Sequence, residues 1–251
     1  MVAQQRMVDV IANNLANVNT TGFKRSRVNF EDVLSVTLQG EKIVNYQATE
    51  TVAPIQVGKG VRVSAVVRIN GQGTPETTDR PLDLAIEGDG FFQVQRPDGS
   101  IAYTRDGSLT LSDSGALVTG DGYLVQPGVI VPADATGITV SANGIVSVTT
   151  GTNSKPMEVG RIELARFLNP SALAAIGENQ FSETTASGQP YMGFPQEDGF
   201  GRISQGALES SNVEIVQEMT DMIAAQRAYE INARAVQAGD EIMQMTNDLV
   251  R

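Results

Sequence analysis

The chain has 251 residues and a formal net charge of −11 at pH 7; apolar residues make up 41%, aromatics 5%, and Trp, Cys and His are absent. That length and apolar share suit one large or two small domains with a real core. The acidic balance argues against nucleic acid or an anionic membrane as the main partner, and the missing residue types exclude disulfide scaffolds, thiolate nucleophiles, zinc fingers, iron–sulfur sites, imidazole metal sites, the Ser-His-Asp triad and histidine switches.

The first predicted element is an amphipathic helix over residues 1–18, where Val8, Ile11, Leu15 and Val18 form one apolar stripe. Asn17, Asn19 and the Thr20-Thr21-Gly22 turn end it, with Gly22 suited to a positive φ. Phe23 follows as an anchor, and Phe30-Glu31-Asp32-Val33-Leu34 is expected to add a short helical turn. The opening Met1-Val2-Ala3-Gln4-Gln5-Arg6 has no apolar h-region, so it does not read as a cleavable secretory signal. No stretch reaches the apolar length of a bilayer span, so no membrane insertion is expected. Alone, these features leave the cytoplasm as the simplest compartment.

Residues 35–60 are polar and rich in Gly and Thr, with Pro54, and read as an extended connector. From Val61 the period becomes two, and Val61, Val63, Ala65, Val67 and Ile69 share a strand face. Residues 82–165 look all-β, with turn signals at Gly88-Asp89-Gly90, Pro97-Asp98-Gly99, Arg105-Asp106-Gly107, Asp113-Ser114-Gly115 and Gly120-Asp121-Gly122. Further strands are expected at 138–149 and 157–168, and 169–206 reads as a loop-rich return path.

The C-terminal segment opens with Ser211 and Glu214, the spacing of a capping box. Val216, Met219, Ile223, Ile231, Ala235, Ala238, Ile242, Met245 and Leu249 then keep a helical period. Ile215, Met222, Tyr229, Val236 and Met243 widen the face, and Gly239 is its weak point. A helix from Ser211 to Arg251 would be about 60 Å long, whereas a compact chain of this size is roughly 45 Å across. The N-terminal helix, about 25 Å long, covers only part of the stripe. Other copies of the chain are the expected cover, through coiled-coil-like packing.

The predicted fold class is therefore α+β: long N- and C-terminal helices pack as a coiled-coil-like stem, with an all-β domain inserted between them. The expected division is a helical stem of 1–34 plus 207–251, an extended connector with β segments over 35–70, and a β-rich outer domain over 71–206.

Ile11-Ala12-Asn13-Asn14-Leu15-Ala16-Asn17-Val18-Asn19-Thr20-Thr21-Gly22-Phe23-Lys24 resembles the N-terminal signature of bacterial flagellar rod and hook proteins. Met222-Ile223-Ala224-Ala225-Gln226-Arg227-Ala228-Tyr229-Glu230-Ile231-Asn232 resembles their C-terminal signature, and Gly88-Asp89-Gly90-Phe91-Phe92-Gln93-Val94 and Tyr103-Thr104-Arg105-Asp106-Gly107 are also typical. Within the family, the length, the connector after Phe30-Glu31-Asp32 and the run Gln205-Gly206-Ala207-Leu208-Glu209-Ser210-Ser211-Asn212-Val213 are most similar to distal rod members. A hook or proximal rod subunit is the alternative within the family. The resemblance implies a helical homopolymer, a tube around an export channel that crosses the periplasm and carries torque from motor to hook. It implies proximal rod proteins, hook protein and the surrounding P- and L-ring proteins as partners. It also implies export by the flagellar type III apparatus without a cleaved signal peptide. Family members usually carry a further amphipathic segment ahead of the position of Met1, so the resemblance implies an incomplete inner helix here.

Each motif also has a plainer reading. Asn13 and Asn17 suit a helix end; in the functional reading they bond neighbouring subunits and fix register, as buried Asn does in coiled coils. Gln226-Arg227-Ala228-Tyr229-Glu230 could be a solvated face, but Tyr229 argues for partial burial at an assembly contact. The Asp-Gly series lacks the calcium-loop spacing and reads as turn chemistry, and Gly58-Lys59-Gly60 lacks the phosphate-loop pattern. Glu87 with Asp89 could serve a carboxylate-dependent enzyme, though no aromatic platform accompanies them. No catalytic, cofactor-binding or metal residues are assigned. The candidate assembly residues are Val8, Ile11, Asn13, Asn14, Leu15, Asn17, Val18 and Phe23, with Met219, Ile223, Gln226, Arg227, Tyr229, Ile231, Ala238, Ile242, Met245 and Leu249. The 35–60 connector is expected to brace neighbouring subunits.

Overall fold

A computed structural model of the protein describes residues 1–34, 36–38, 55–151 and 153–249. Two helices, α1 (Val2–Ala16) and α2 (Ile215–Leu249), flank a series of short strands. The chain divides into two compact units. One gathers the described residues of 1–13, 26–67 and 219–251, the other those of 14–25 and 68–218.

In the first unit the strands Ser26–Asp32 and Val61–Arg68 pair as a two-stranded sheet. The helical turn expected at 30–34 is thus a strand end. The Val33 N–H donates to the Gly60 carbonyl at 2.8 Å, and the Arg62 guanidinium bonds the Glu31 carboxylate. Pairing with a distant strand overrides a locally ambiguous sequence. Only the ends of the expected connector are described; there Val36–Leu38 pairs antiparallel with Ile55–Val57, and residues 39–54 lie outside the described residues.

The second unit is built on a sheet around Phe91–Gln95. On one edge this strand pairs with Ile101–Thr104; on the other it pairs with Leu124–Val125 and Leu164–Arg166. The Gly-Phe-Phe-Gln-Val motif serves both faces. Phe92 and Val94 enter a core with Leu84, Ile86, Leu109, Ile162 and Ile203, while Phe91 points to a second core with Tyr103, Phe167, Leu173 and Phe181. Phe91 meets Phe167 edge-on, with ring centroids 5.9 Å apart. A strand buried on both faces reads as continuous apolar sequence.

The segment 138–149 is a hairpin rather than one strand, because Ala135–Val140 and Ile145–Thr150 turn back through Asn143-Gly144. The return path also carries more order than expected: Ala174–Gly177, Gln180–Ser182, Tyr191–Gly193 and Arg202–Gln205 are strands.

The expected capping box does not form, since α2 begins at Ile215. Asn212 is engaged elsewhere: its Oδ1 accepts the Arg25 N–H at 2.7 Å, and its Nδ2 donates to the Ile69 and Gly71 carbonyls, each at 2.9 Å. These bonds hold 211–214 out of the helix, and the Ser211 hydroxyl caps only the local turn, accepting from the Val213 N–H at 3.3 Å. At 35 residues, α2 is about 52 Å long.

Candidate assembly surface

Two arrangements of side chains stand out, one in each unit. In the second unit the residues after α1 are tied to the β body by buried charges. Gly22 has φ +67°, and a Cβ there would lie 2.8 Å from the carbonyl carbon of Arg105, so only glycine admits the close approach. Its N–H donates to the Glu209 carbonyl at 2.7 Å. Beside it, Thr21 donates to the Asp106 carboxylate at 2.8 Å and accepts at its carbonyl from Asn179, also at 2.8 Å.

Lys24, 3% exposed, is ion-paired with the buried Glu209 carboxylate and donates to the Gly71 carbonyl at 2.9 Å. The same carboxylate takes the Arg105 guanidinium at 3.2 Å and the Gly73 N–H at 2.9 Å. Burial pushes the Lys24 ammonium below its ordinary value; the attraction of Glu209 opposes this, and the positive charge of Arg105 adds to it.

A second buried carboxylate, Glu218, accepts from Asn14 Nδ2 at 3.1 Å and pairs with Arg25 at 2.7 Å. Removing one member of such a cluster strands a charge in low dielectric, so the clusters enforce one way of joining these segments.

In the first unit, the α1 residues Gln5 and Val8 and the α2 residues Gln226, Tyr229 and Glu230 line one open groove. Ile11 and Ala225 are buried, but most of the other apolar residues of α2 are exposed. Met219, Ile223, Ile231, Ile242 and Met245 are at least half exposed, and Tyr229 is 40% exposed. Such a run of apolar groups on one long helix is the mark of a surface that binds another surface.

Of the other expected residues, Val8, Leu15, Asn17, Val18 and Phe23 are partly exposed, and Asn13, Gln226, Arg227 and Ala238 are exposed. The structure places Asn14 inside, on Glu218. Asn17 accepts from the Thr20 hydroxyl at 3.2 Å. Leu249 ends α2, and its side chain is outside the described residues. Sequence reasoning missed Lys24, Arg25, Arg105, Glu209 and Glu218. The available signal was a charged residue inside or beside each motif, without a spacing to join them. Among the described residues no acidic cluster could hold a metal ion, and no helix is long and apolar enough to cross a membrane.

Three family models match the chain. The flagella basal body rod protein model covers residues 1–24, the flagellar hook protein FlgE/F/G D1 domain covers 85–148, and the flagellar basal body rod FlgEFG protein C-terminal model covers 204–249. The flagellar basal-body rod protein FlgG of Borreliella burgdorferi is 49% identical over 256 residues, covering 100% of this chain and 96% of that protein. The FlgG of Caulobacter vibrioides is 47% identical over 252 residues, 99% of this chain and 95% of that protein. The FlgG of Bacillus subtilis is 39% identical over 252 residues, 98% of this chain and 94% of that protein. Each matched segment supplies the buried clusters: Asn14 and Lys24 from the first, Arg105 from the second, Glu209 and Glu218 from the third.

Proposed function

The chain belongs to the family of FlgG flagellar basal-body rod proteins, structural subunits of the distal rod and not enzymes, and from that membership we propose how it builds the rod. Copies pack through their terminal helices, as a coiled-coil-like stem, into a helical tube. The tube surrounds the export channel, crosses the periplasm and carries torque from motor to hook. The β body forms the outer wall, and proximal rod proteins, hook protein and the P- and L-ring proteins are its neighbours. The subunit reaches the rod through the flagellar type III apparatus, without signal cleavage.

The observation that carries this reading is the apolar run on α2, with Met219, Ile223, Ile231, Ile242 and Met245 each half or more exposed. These side chains are already partly covered, so covering the remainder contributes only part of the about 1.5–3 kcal/mol that full burial gives each, but together they still favour a surface that covers them. Ile223→Asp tests it in cells lacking the native protein. Rods and swimming should be lost while the purified variant keeps its β-sheet circular dichroism. Normal rods in that strain would overturn the reading.

A further inference from the structure

Along α2, Arg227, Arg234, Glu241 and Asp248 recur every seven residues, two cations followed by two anions, all exposed. The residues beside this row repeat at alternating intervals of three and four: Ala228, Ile231, Ala235, Ala238, Ile242 and Met245. That is the spacing of a coiled-coil seam with the charged row on one flank. The other flank is small and uncharged, with Asn232 and Gly239. From Ile231 to Met245 the seam residues are exposed. The groove shared with α1 runs along Gln226, Tyr229 and Glu230, a different stripe, and leaves the seam clear.

Charge order selects the partner and its direction. When two such helices run antiparallel, like flank faces like flank. Arg227 then opposes Asp248 of the partner copy, and Arg234 opposes Glu241, each pair occurring twice by symmetry. In the same register Ile231 packs on Ile242 of the partner copy, Ala235 on Ala238, and Ala228 on Met245. Large residues meet large only once per half, and the Ala and Gly positions let the backbones approach closely. A parallel pair in register would instead set this charged flank against the small uncharged one, so the two cations would meet no acid.

We propose that the segment from Arg227 to Asp248, about 33 Å of helix, pairs antiparallel with the same segment of a second copy before assembly. This rests on the tube reading above: subunits of a polar tube all point one way, so a two-fold antiparallel pair cannot be built into it. The pair covers the apolar seam of the unassembled chain and is undone when the subunit is incorporated.

The test uses the full chain in solution. Sedimentation should show a monomer–dimer equilibrium. Arg234→Glu reverses two symmetry-related pairs and should weaken it about tenfold. The charge swap Arg234→Glu with Glu241→Arg should restore it. The absence of Cys allows a direct check of direction, because two Arg227 positions lie about 31 Å apart in this pairing. A short thiol cross-linker should join Arg227→Cys copies to Asp248→Cys copies, and neither to itself. A monomer at all concentrations, a swap no better than the single variant, or self-linked Arg227→Cys copies would overturn the proposal. Ile223→Asp lies off the seam, so its solution dimer should survive while rod assembly fails, which separates this proposal from the tube reading.

Discussion

Asn14 and Glu218, 204 positions apart in the chain, meet in the interior with the amide of one donating to the carboxylate of the other at 3.1 Å. Glu218 is fully buried, so this bond is charge-assisted and shielded from water. Asn14→Ala should cost about 1.5–3 kcal/mol, read as a lower urea midpoint with unchanged slope. A midpoint equal to wild type would mean that the amide contributes nothing there.

Glu209 holds Lys24 and Arg105 together. Glu209→Ala leaves two buried cations facing each other and should cost about 3–5 kcal/mol. Lys24→Met should cost much less, because it removes the cation that burial already disfavours. Equal losses in the two variants would refute this account of the cluster.

The depressed Lys24 value also sets a pH signature. Between that value and the ordinary 10.5, the unfolded chain holds a proton that the folded chain has released. Stability from this group therefore rises with pH across that window and is flat below it, where both states are charged. Relative to Lys24→Met, wild type should gain stability as pH approaches 10.5. Chemical denaturation at stepped alkaline pH measures the difference; a constant gap would contradict it.

Tyr103 titrates in the opposite sense. Burial, with help from the negative Glu183, pushes its hydroxyl up to about 12. The folded chain keeps a proton that the unfolded chain loses above 10, so this group's contribution is full below 10 and falls away towards 12. Absorbance titration should show a late phenolate step near that upper value, and Tyr103→Phe should lack it.

Gly22→Ala combines a positive φ with a Cβ 2.8 Å from Arg105 backbone and should destabilise by more than about 2 kcal/mol. Gly122→Ala, at φ +87° with nothing within 4 Å, should cost only about 1–2 kcal/mol. On α2, Gly239→Ala also meets nothing within 4 Å and should stabilise the helix by about 1 kcal/mol, seen as a higher melting temperature for its helical signal.

Local pattern made much of this molecule legible. The three-four spacing of Val8, Ile11 and Leu15 marks α1, and the longer run after Val216 marks α2. The Phe-Phe pair at 91–92 lies in the strand where both cores meet. What escaped the sequence is what distant residues impose. The strand end at Phe30-Glu31-Asp32 exists because Val61–Arg68 lies beside it. The start of α2 slips to Ile215 because Asn212 is claimed by Arg25, Ile69 and Gly71. The carboxylates of Glu209 and Glu218 answer to no periodicity at all, since their side-chain partners sit 104 to 204 positions away.

The wiring of those carboxylates also has a schedule. In chain order Lys24 and Arg105 both come before their common counter-ion, Glu209, and Asn14 waits still longer for Glu218. Until those carboxylates are present, Lys24 and Arg105 lack the anion they share, and neither buried cluster can close. Loops this long also close slowly. A chain cut short before residue 209 therefore closes neither cluster.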